Sequence, residues 1–260
     1  LSDSERQKQL IVEQFTAQAE PFARYAPHSD AEAMRLVREA AELAPTDEVL
    51  DVACGPGLVA CDFAEHASRV TGLDLTPGMI EQARGLQAAR GLTNLDWRVG
   101  DIASLPFEPA SFSLVFSRYA FHHLLEPARA LVEMARVCRP GGRVVVVDVY
   151  SRDAEQGEAY DRVEKIRDPS HVRAVGLGEF ETLFAKAGLE PSEPRFYGLD
   201  VKLDELLAAT ESPAEARESI REVFRDDVGV DQLGVNARLV DGAIRFTFPI
   251  AVFVGRKPSV

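Results

Sequence analysis

The segment VLDVACGPGLVA, residues 49–60, most constrains this chain: an apolar strand ends in an acid and runs through a glycine loop into a helix. Gly55 and Gly57 permit backbone angles and a close ligand approach that a side chain would block, so the segment marks a nucleotide-type cofactor site. A glycine loop alone can equally be a plain strand-to-helix turn. Its surroundings therefore decide.

From Glu48 onward the text alternates apolar strand and amphipathic helix: EVLDVA, VACDFAEHA, RVTGLDL, then a helix opened by Thr76 and Pro77. The strands LDWRVGD and FSLVFS follow. A helix then enters through Glu126–Pro127, and RVVVVDV comes after the breaker Pro140–Gly141–Gly142. Parallel strands need such crossovers, so the expected fold is a doubly wound α/β sheet covered on both faces. Ahead of it, a helix is expected over Glu5–Ala19. A second, with a Ser29/Glu32 capping box, should run to Leu43. Beyond Tyr150, a helix over DAEQGEAYDRVEKIR, a turn at DPSHVR and a helix near Gly178–Ala187 make a cap. Asp241–Gly242 between β-rich arms predicts a closing hairpin. The expectation is a mostly parallel seven-stranded sheet with an antiparallel C-terminal strand and a helical cap. It forms one domain over 1–260: helical cap 1–44, cofactor-binding core 45–150, and lid helices with the hairpin over 151–260.

Composition excludes several classes. With a formal charge of −13 and no basic stripe, nucleic acid is not expected as a partner. No apolar run approaches the ~20 residues of a membrane span. The polar start LSDSERQKQL has no apolar signal core, so the cytoplasm is the expected compartment. Cys54, Cys61 and Cys138 stand far apart without metal-ligand spacing, so no metal site is expected. Oligomeric state is left open.

Gly55-x-Gly57-x-x-Ala60 also satisfies the dinucleotide fingerprint, with Asp74 following Gly55 at the ribose-acid distance; a nicotinamide-dependent dehydrogenase is therefore an alternative. Charge separates a nicotinamide cofactor from a sulfonium one. Asp51 would repel a pyrophosphate, whereas S-adenosylmethionine has no phosphate and carries an ammonium and a sulfonium. Asp74 can accept from both ribose hydroxyls, or simply cap the next helix. Asp101 can accept from the adenine amino group, with Ile102 and Leu105 against the ring, or be a turn aspartate. The three acids stand at the ends of successive strands on one edge of the sheet.

VLDVACGPG, VTGLDLTPGMIEQAR, GDIASLPF, FSLVFSRYAFHHL and RVCRPGGRVVVVDV together resemble the class I methyltransferases of the ubiquinone/menaquinone C-methyltransferase-like group, over about residues 45–150. The resemblance implies S-adenosylmethionine as cofactor. It implies that Asp51, Ala53, Gly55 and Gly57 line the methionine end, Asp74, Leu75 and Met79 the ribose, and Asp101 and Ile102 the adenine. Ser117 and Arg118 would stand beside the sulfonium. Ala53 departs from the glycine of many members. An N-terminal helix would close over the cofactor through Phe15, Ala19, Phe22 and Tyr25; a plain apolar helix face is the competing reading for all but Tyr25.

Catalysis in such a site is in-line attack on the methyl, helped by alignment and water exclusion. His122 is the candidate catalytic imidazole, as base or orienter of the acceptor. His123, His171 and Arg173 are substrate-side candidates, with a structural role favoured for His123, a solvated loop for His171, and an acidic acceptor group suiting Arg173. The expected activity is methyl transfer to a small-molecule acceptor at carbon, oxygen or nitrogen. A non-catalytic S-adenosylmethionine-binding protein is the other alternative.

Overall fold

The computed structural model describes residues 1–19, 30–210 and 212–259. Its first helix, α1 (Asp3–Ala17), starts in a capping box in which Ser2 and Glu5 satisfy each other's backbone N–H groups. Helix α2 (Ala31–Ala40) is capped by Asp30, whose side chain accepts from the Ala33 N–H at 2.8 Å. Ser29, Phe22 and Tyr25 lie outside the described residues. Glu42 at φ 49° follows the end of α2, which stops short of the expected Leu43.

β1 (Glu48–Val52), α3 (Leu58–Ala64), β2 (Arg69–Asp74), α4 (Pro77–Arg90), β3 (Leu95–Val99), β4 (Phe112–Arg118), α5 (Pro127–Val137) and β5 (Cys138–Ser151) form the wound core. The five strands are parallel in the order β3-β2-β1-β4-β5. The order reverses between β1 and β4, and open α/β sheets bind ligands outside such a switch point, at the carboxyl ends of the strands. Continuous apolar strands suit this double coverage. Val49 and Phe116 pack with Phe63 of α3 on one face, while Leu50, Val115 and Met134 of α5 fill the other. The Phe63 and Phe116 rings meet edge-on at 5.0 Å.

The Pro140–Gly141–Gly142 segment does not delay β5, which already begins at Cys138. The ladder with β4 shifts register between Phe112 and Leu114, and Gly141 adopts φ 74°, so the expected breaker is absorbed as an irregularity.

After β5 come α6 (Ala154–Arg167), β6 (Val175–Gly176), α7 (Leu177–Lys186), β7 (Glu190–Pro191), β8 (Arg195–Lys202), α8 (Leu203–Ala209), α9 (Ala214–Asp227), β9 (Arg238–Val240) and β10 (Ala243–Arg256). β10 runs antiparallel to β5, β7, β8 and β9, and Asp241 and Gly242, at φ 50° and 79°, make the tight turn from β9. The antiparallel ending is as expected, but the sheet has ten strands among the described residues. Seven lie on the main path; β6 pairs with β5, and β8 and β9 pair with β10.

Candidate functional site

Register puts the three acids at one end of the sheet. Asp51 pairs with Gly72 and Asp74 with Val99, while Asp101 stands two residues past the end of β3. They line a cleft enclosing about 1370 Å³ of space, its open mouth included. Residues Gln7, Lys8, Ile11 and Phe15 of α1 form its far wall. That helix is tied down by Gln7, whose Nε2 donates to the carbonyls of His123 (2.9 Å) and Ser170 (2.6 Å).

Left-handed backbone carries the loop after β1: Ala53 stands at φ 55°, Gly55 at 53° and Gly57 at 81°. Gly55 lines the cleft, and a Cβ built on it would meet nothing within 4 Å, so the space beside it is open to a ligand. Gly57 does not line the cleft. A Cβ there would come within 2.7 Å of Trp97 and 2.8 Å of Ala83, so this glycine lets the start of α3 pack against β3 and α4. Ala53 occupies the strained conformation without glycine's freedom, at a cost of roughly 1–2 kcal/mol.

Asp51 is 1% exposed, and its Oδ2 has no hydrogen-bond partner. Burial pushes its carboxyl up to about 7; the Arg118 guanidinium opposes that rise and the Asp74 charge adds to it. A buried carboxylate oxygen lacking a partner is costly, and a cationic group in the cleft is its complement. Asp74 accepts from the N–H groups of Gly55 and Thr76, both at 2.8 Å. Burial raises its pKa while those bonds pull it down. Asp101 accepts from the Ala103 N–H at 2.8 Å and is paired with Lys8 Nζ at 2.6 Å. Leu75, Met79 and Ile102 supply apolar wall between these acids.

Arg118 lines the cleft, its guanidinium 4.9 Å from the Tyr119 ring centre. Ser117, the neighbouring candidate, does not line it: the residue is fully buried and its Oγ has no partner. Tyr119, a lining residue that sequence reasoning did not single out, stands at φ 57° and shares a 2.8 Å hydrogen bond with the Tyr197 hydroxyl.

The histidines divide differently from expectation. His123 lines the cleft, edge-on to Phe15 at 5.1 Å, with Nδ1 near the Ser170 carbonyl at 3.1 Å. Burial, with His122 adding, presses its pKa down to about 3, so it is neutral. His122 turns its Nδ1 to Asp148 at 2.6 Å instead of lining the cleft wall. His171 is 4% exposed, not solvated, because the DPSHVR turn folds inward. Its Nε2 meets Asp161 at 2.8 Å, and the N–H groups of Val172 and Arg173 bond the His122 carbonyl. Arg173 is half-exposed and forks onto Glu179 at 2.8 and 2.5 Å; it does not reach the cleft wall.

Residues 50–146 match the family described as Methyltransferase domain. The chain is 30% identical over 207 residues to the uncharacterised methyltransferase YcgJ of Bacillus subtilis (strain 168), covering 79% of this chain and 82% of that protein. The chain belongs to the class I methyltransferase family. The YcgJ crystal structure superposes on this methyltransferase with a TM-score of 0.81 at 27% identity, spanning 88% of this chain and 99% of that one. The demethylmenaquinone methyltransferase of Renibacterium salmoninarum is 36% identical over 114 residues, 44% of this chain and 46% of that protein, so the narrower quinone-methyltransferase grouping has only loose support. The [4+2]-cyclase SpnF shares the fold at a TM-score of 0.63 and 24% identity, over 88% of this chain and 82% of that one. Membership overturns the dehydrogenase alternative, as the charge of Asp51 had argued. In this methyltransferase the family match includes Asp51, Asp74, Asp101, His122 and His123. The α1 wall and the segment carrying His171 and Arg173 lie outside it. Among the described residues, no helix is long and apolar enough to cross a membrane, and no cluster of three or more potential ligands could hold a metal.

Proposed function

We propose that this methyltransferase takes its methyl group from S-adenosylmethionine and passes it to a small-molecule acceptor. The observation that carries the reading is the buried, unpartnered Oδ2 of Asp51 in a cleft that also holds Asp74 and Asp101. Three acids and no phosphate-binding cation on the glycine loop fit a cationic, phosphate-free cofactor. Asp51 would hold the ammonium of its methionine end beside the open cradle at Gly55. Asp74 would accept from the ribose hydroxyls, since each carboxylate oxygen retains acceptor capacity beyond its backbone bond. Asp101 would accept from the adenine amino group, with Lys8 adjusting, while Leu75, Met79 and Ile102 pack the ring system. The bound cofactor supplies an electrophilic methyl; the chain aligns the acceptor and excludes water through α1 and Phe15.

The enclosing α1 wall, with Gln7, Lys8, Ile11 and Phe15 against the cleft, favours a small acceptor. The experiment is a metabolite-library screen for acceptor-dependent formation of S-adenosylhomocysteine. Product formation with a defined acceptor is expected. Tight S-adenosylhomocysteine binding without turnover of any member would instead favour a non-catalytic binding protein.

A further inference from the structure

Helix α1 walls the cleft without sinking into the core. Among its described residues, Asp3–Ala17, none is fully buried, so its docking depends on directed contacts more than on a packed apolar face. Gln7, Ile11 and Phe15, each four residues from the next, share the face that lines the cleft. The Gln7 amide nitrogen has two protons and places one on the His123 carbonyl at 2.9 Å and the other on the Ser170 carbonyl at 2.6 Å. Ser170 is fully buried in the Asp168–Arg173 turn, where its N–H and its hydroxyl both donate to Asp168 Oδ1, at 2.9 and 2.6 Å. Its carbonyl only accepts, and it takes a second bond, from His123 Nδ1 at 3.1 Å. The His123 ring also meets Phe15 of α1 edge-on, and the His122 carbonyl accepts from the N–H groups of Val172 and Arg173 at 2.9 and 3.2 Å. Helix α1, the turn after β4 and the Asp168–Arg173 turn are therefore one hydrogen-bonded unit, and Gln7 bridges all three. The family match, residues 50–146, contains just the middle member.

We infer that Gln7 is a positioning residue that couples the cofactor cleft to the Asp168–Arg173 turn, so that a ligand held against α1 also orders this turn of the C-terminal cap. This rests on the reading of the cleft as an S-adenosylmethionine site. The two states differ in defined contacts. With α1 docked, Gln7 supplies a donor to both carbonyls; with α1 lifted, the Ser170 and His123 carbonyls lose that donor together. A ligand in the cleft meets Lys8, Ile11 and Phe15 in the docked state alone, so its binding shifts the equilibrium towards that state and towards the ordered turn. The turn in turn backs His123, which lines the cleft, so an occupied cofactor site fixes this part of the wall before the acceptor arrives. Linkage makes the effect reciprocal: whatever holds the turn in place tightens cofactor binding by the same factor.

Hydrogen exchange of the full chain, read by mass spectrometry with S-adenosylhomocysteine as the probe, tests the coupling. In the wild type the ligand is expected to slow exchange in the loop around Gly55, in α1 and in residues 168–174. Gln7→Leu removes both donors. Exchange of 168–174 in the ligand-free variant should quicken at least ~5-fold, the effect of losing one or two hydrogen bonds, and the ligand should still protect the Gly55 loop but no longer 168–174. Gln7→Glu keeps the shape and replaces the donors with an acceptor; it should behave alike and serves where Gln7→Leu does not fold. Gln9→Leu, on the exposed side of the same helix where Gln9 bonds Glu13, should match the wild type. Ligand protection of 168–174 that survives in the Gln7 variants overturns the inference, and so does a wild type in which the ligand protects α1 but not 168–174. If S-adenosylhomocysteine protects no segment of the wild type, the donor reading has failed and the ligand-free comparison decides the coupling alone. Exchange of 168–174 faster in Gln7→Leu than in Gln9→Leu then upholds it, and equal exchange in the two overturns it.

Discussion

The carboxylate of Asp74, at the end of β2, accepts a 2.8 Å hydrogen bond from the backbone N–H of Gly55 across the strand-end gap. One residue therefore fixes the glycine loop and faces the cleft, which couples the cradle to the proposed ribose contact. Asp74→Ala should weaken S-adenosylmethionine binding by roughly 2–4 kcal/mol, because a charged acceptor is lost in a partly dry pocket. Calorimetric affinity equal to wild type would remove Asp74 from the ribose site.

Gly55 and Gly57 should separate binding from stability. At Gly57 an added methyl collides with Trp97 and Ala83 at a positive φ, so Gly57→Ala should cost on the order of 2–4 kcal/mol of stability. At Gly55 the space is open. Gly55→Ala should cost only about 1–2 kcal/mol through its backbone angle, and Gly55→Val should remain folded while losing cofactor. Thermal midpoints with and without S-adenosylhomocysteine check this; a Gly57→Ala protein as stable as wild type contradicts the packing role.

The carboxyl of Asp51, pushed up to about 7 by burial, predicts a pH-linked affinity. Its folded-state pKa lies above its unfolded value, so its own contribution to stability of the ligand-free protein is present below about 4 and is lost as pH rises through about 7. A bound ammonium reverses the preference. Affinity for S-adenosylmethionine should fall as pH drops below 7, by up to about tenfold per unit, with proton release on binding. Titrations in buffers of different ionisation enthalpy measure that release, and a flat affinity between pH 7.5 and 5.5 would place the ammonium elsewhere.

The core was readable because its signals are local. Apolar strands ending in Asp51 and Asp74, and the punctuation at Thr76–Pro77 and Glu126–Pro127, specify elements without long-range information. β8 was not readable: RFYGLDVK alternates exposed Phe196, Asp200 and Lys202 with buried Leu199 and Val201, and becomes a strand through its pairing with β10. Asp148 carried the same sign as Asp51, an acid closing an apolar strand, but its partner His122 lies 26 residues earlier and only the β4–β5 crossover joins them. The inward turn that buries His171 depends on Asp161, on α6, which no local pattern in DPSHVR reveals.

Arg173 illustrates a charge whose partner is also invisible until folding. Its fork onto Glu179 is about 40% exposed on both sides, so Arg173→Ala should change stability by no more than ~0–1 kcal/mol. A double-mutant cycle with Glu179→Ala measures the pair directly; a coupling well above 1 kcal/mol would show that solvent screens it less than its exposure implies.

Isothermal titration calorimetry with S-adenosylhomocysteine and with NAD, on the wild type and on a folded Asp51→Ala, Asp74→Ala double variant, decides whether this cleft is an S-adenosylmethionine site. Saturable one-site binding of S-adenosylhomocysteine to the wild type is expected, with its loss in the double variant and no binding of NAD to either. No binding of S-adenosylhomocysteine to the wild type, or binding that survives removal of both acids, would contradict it.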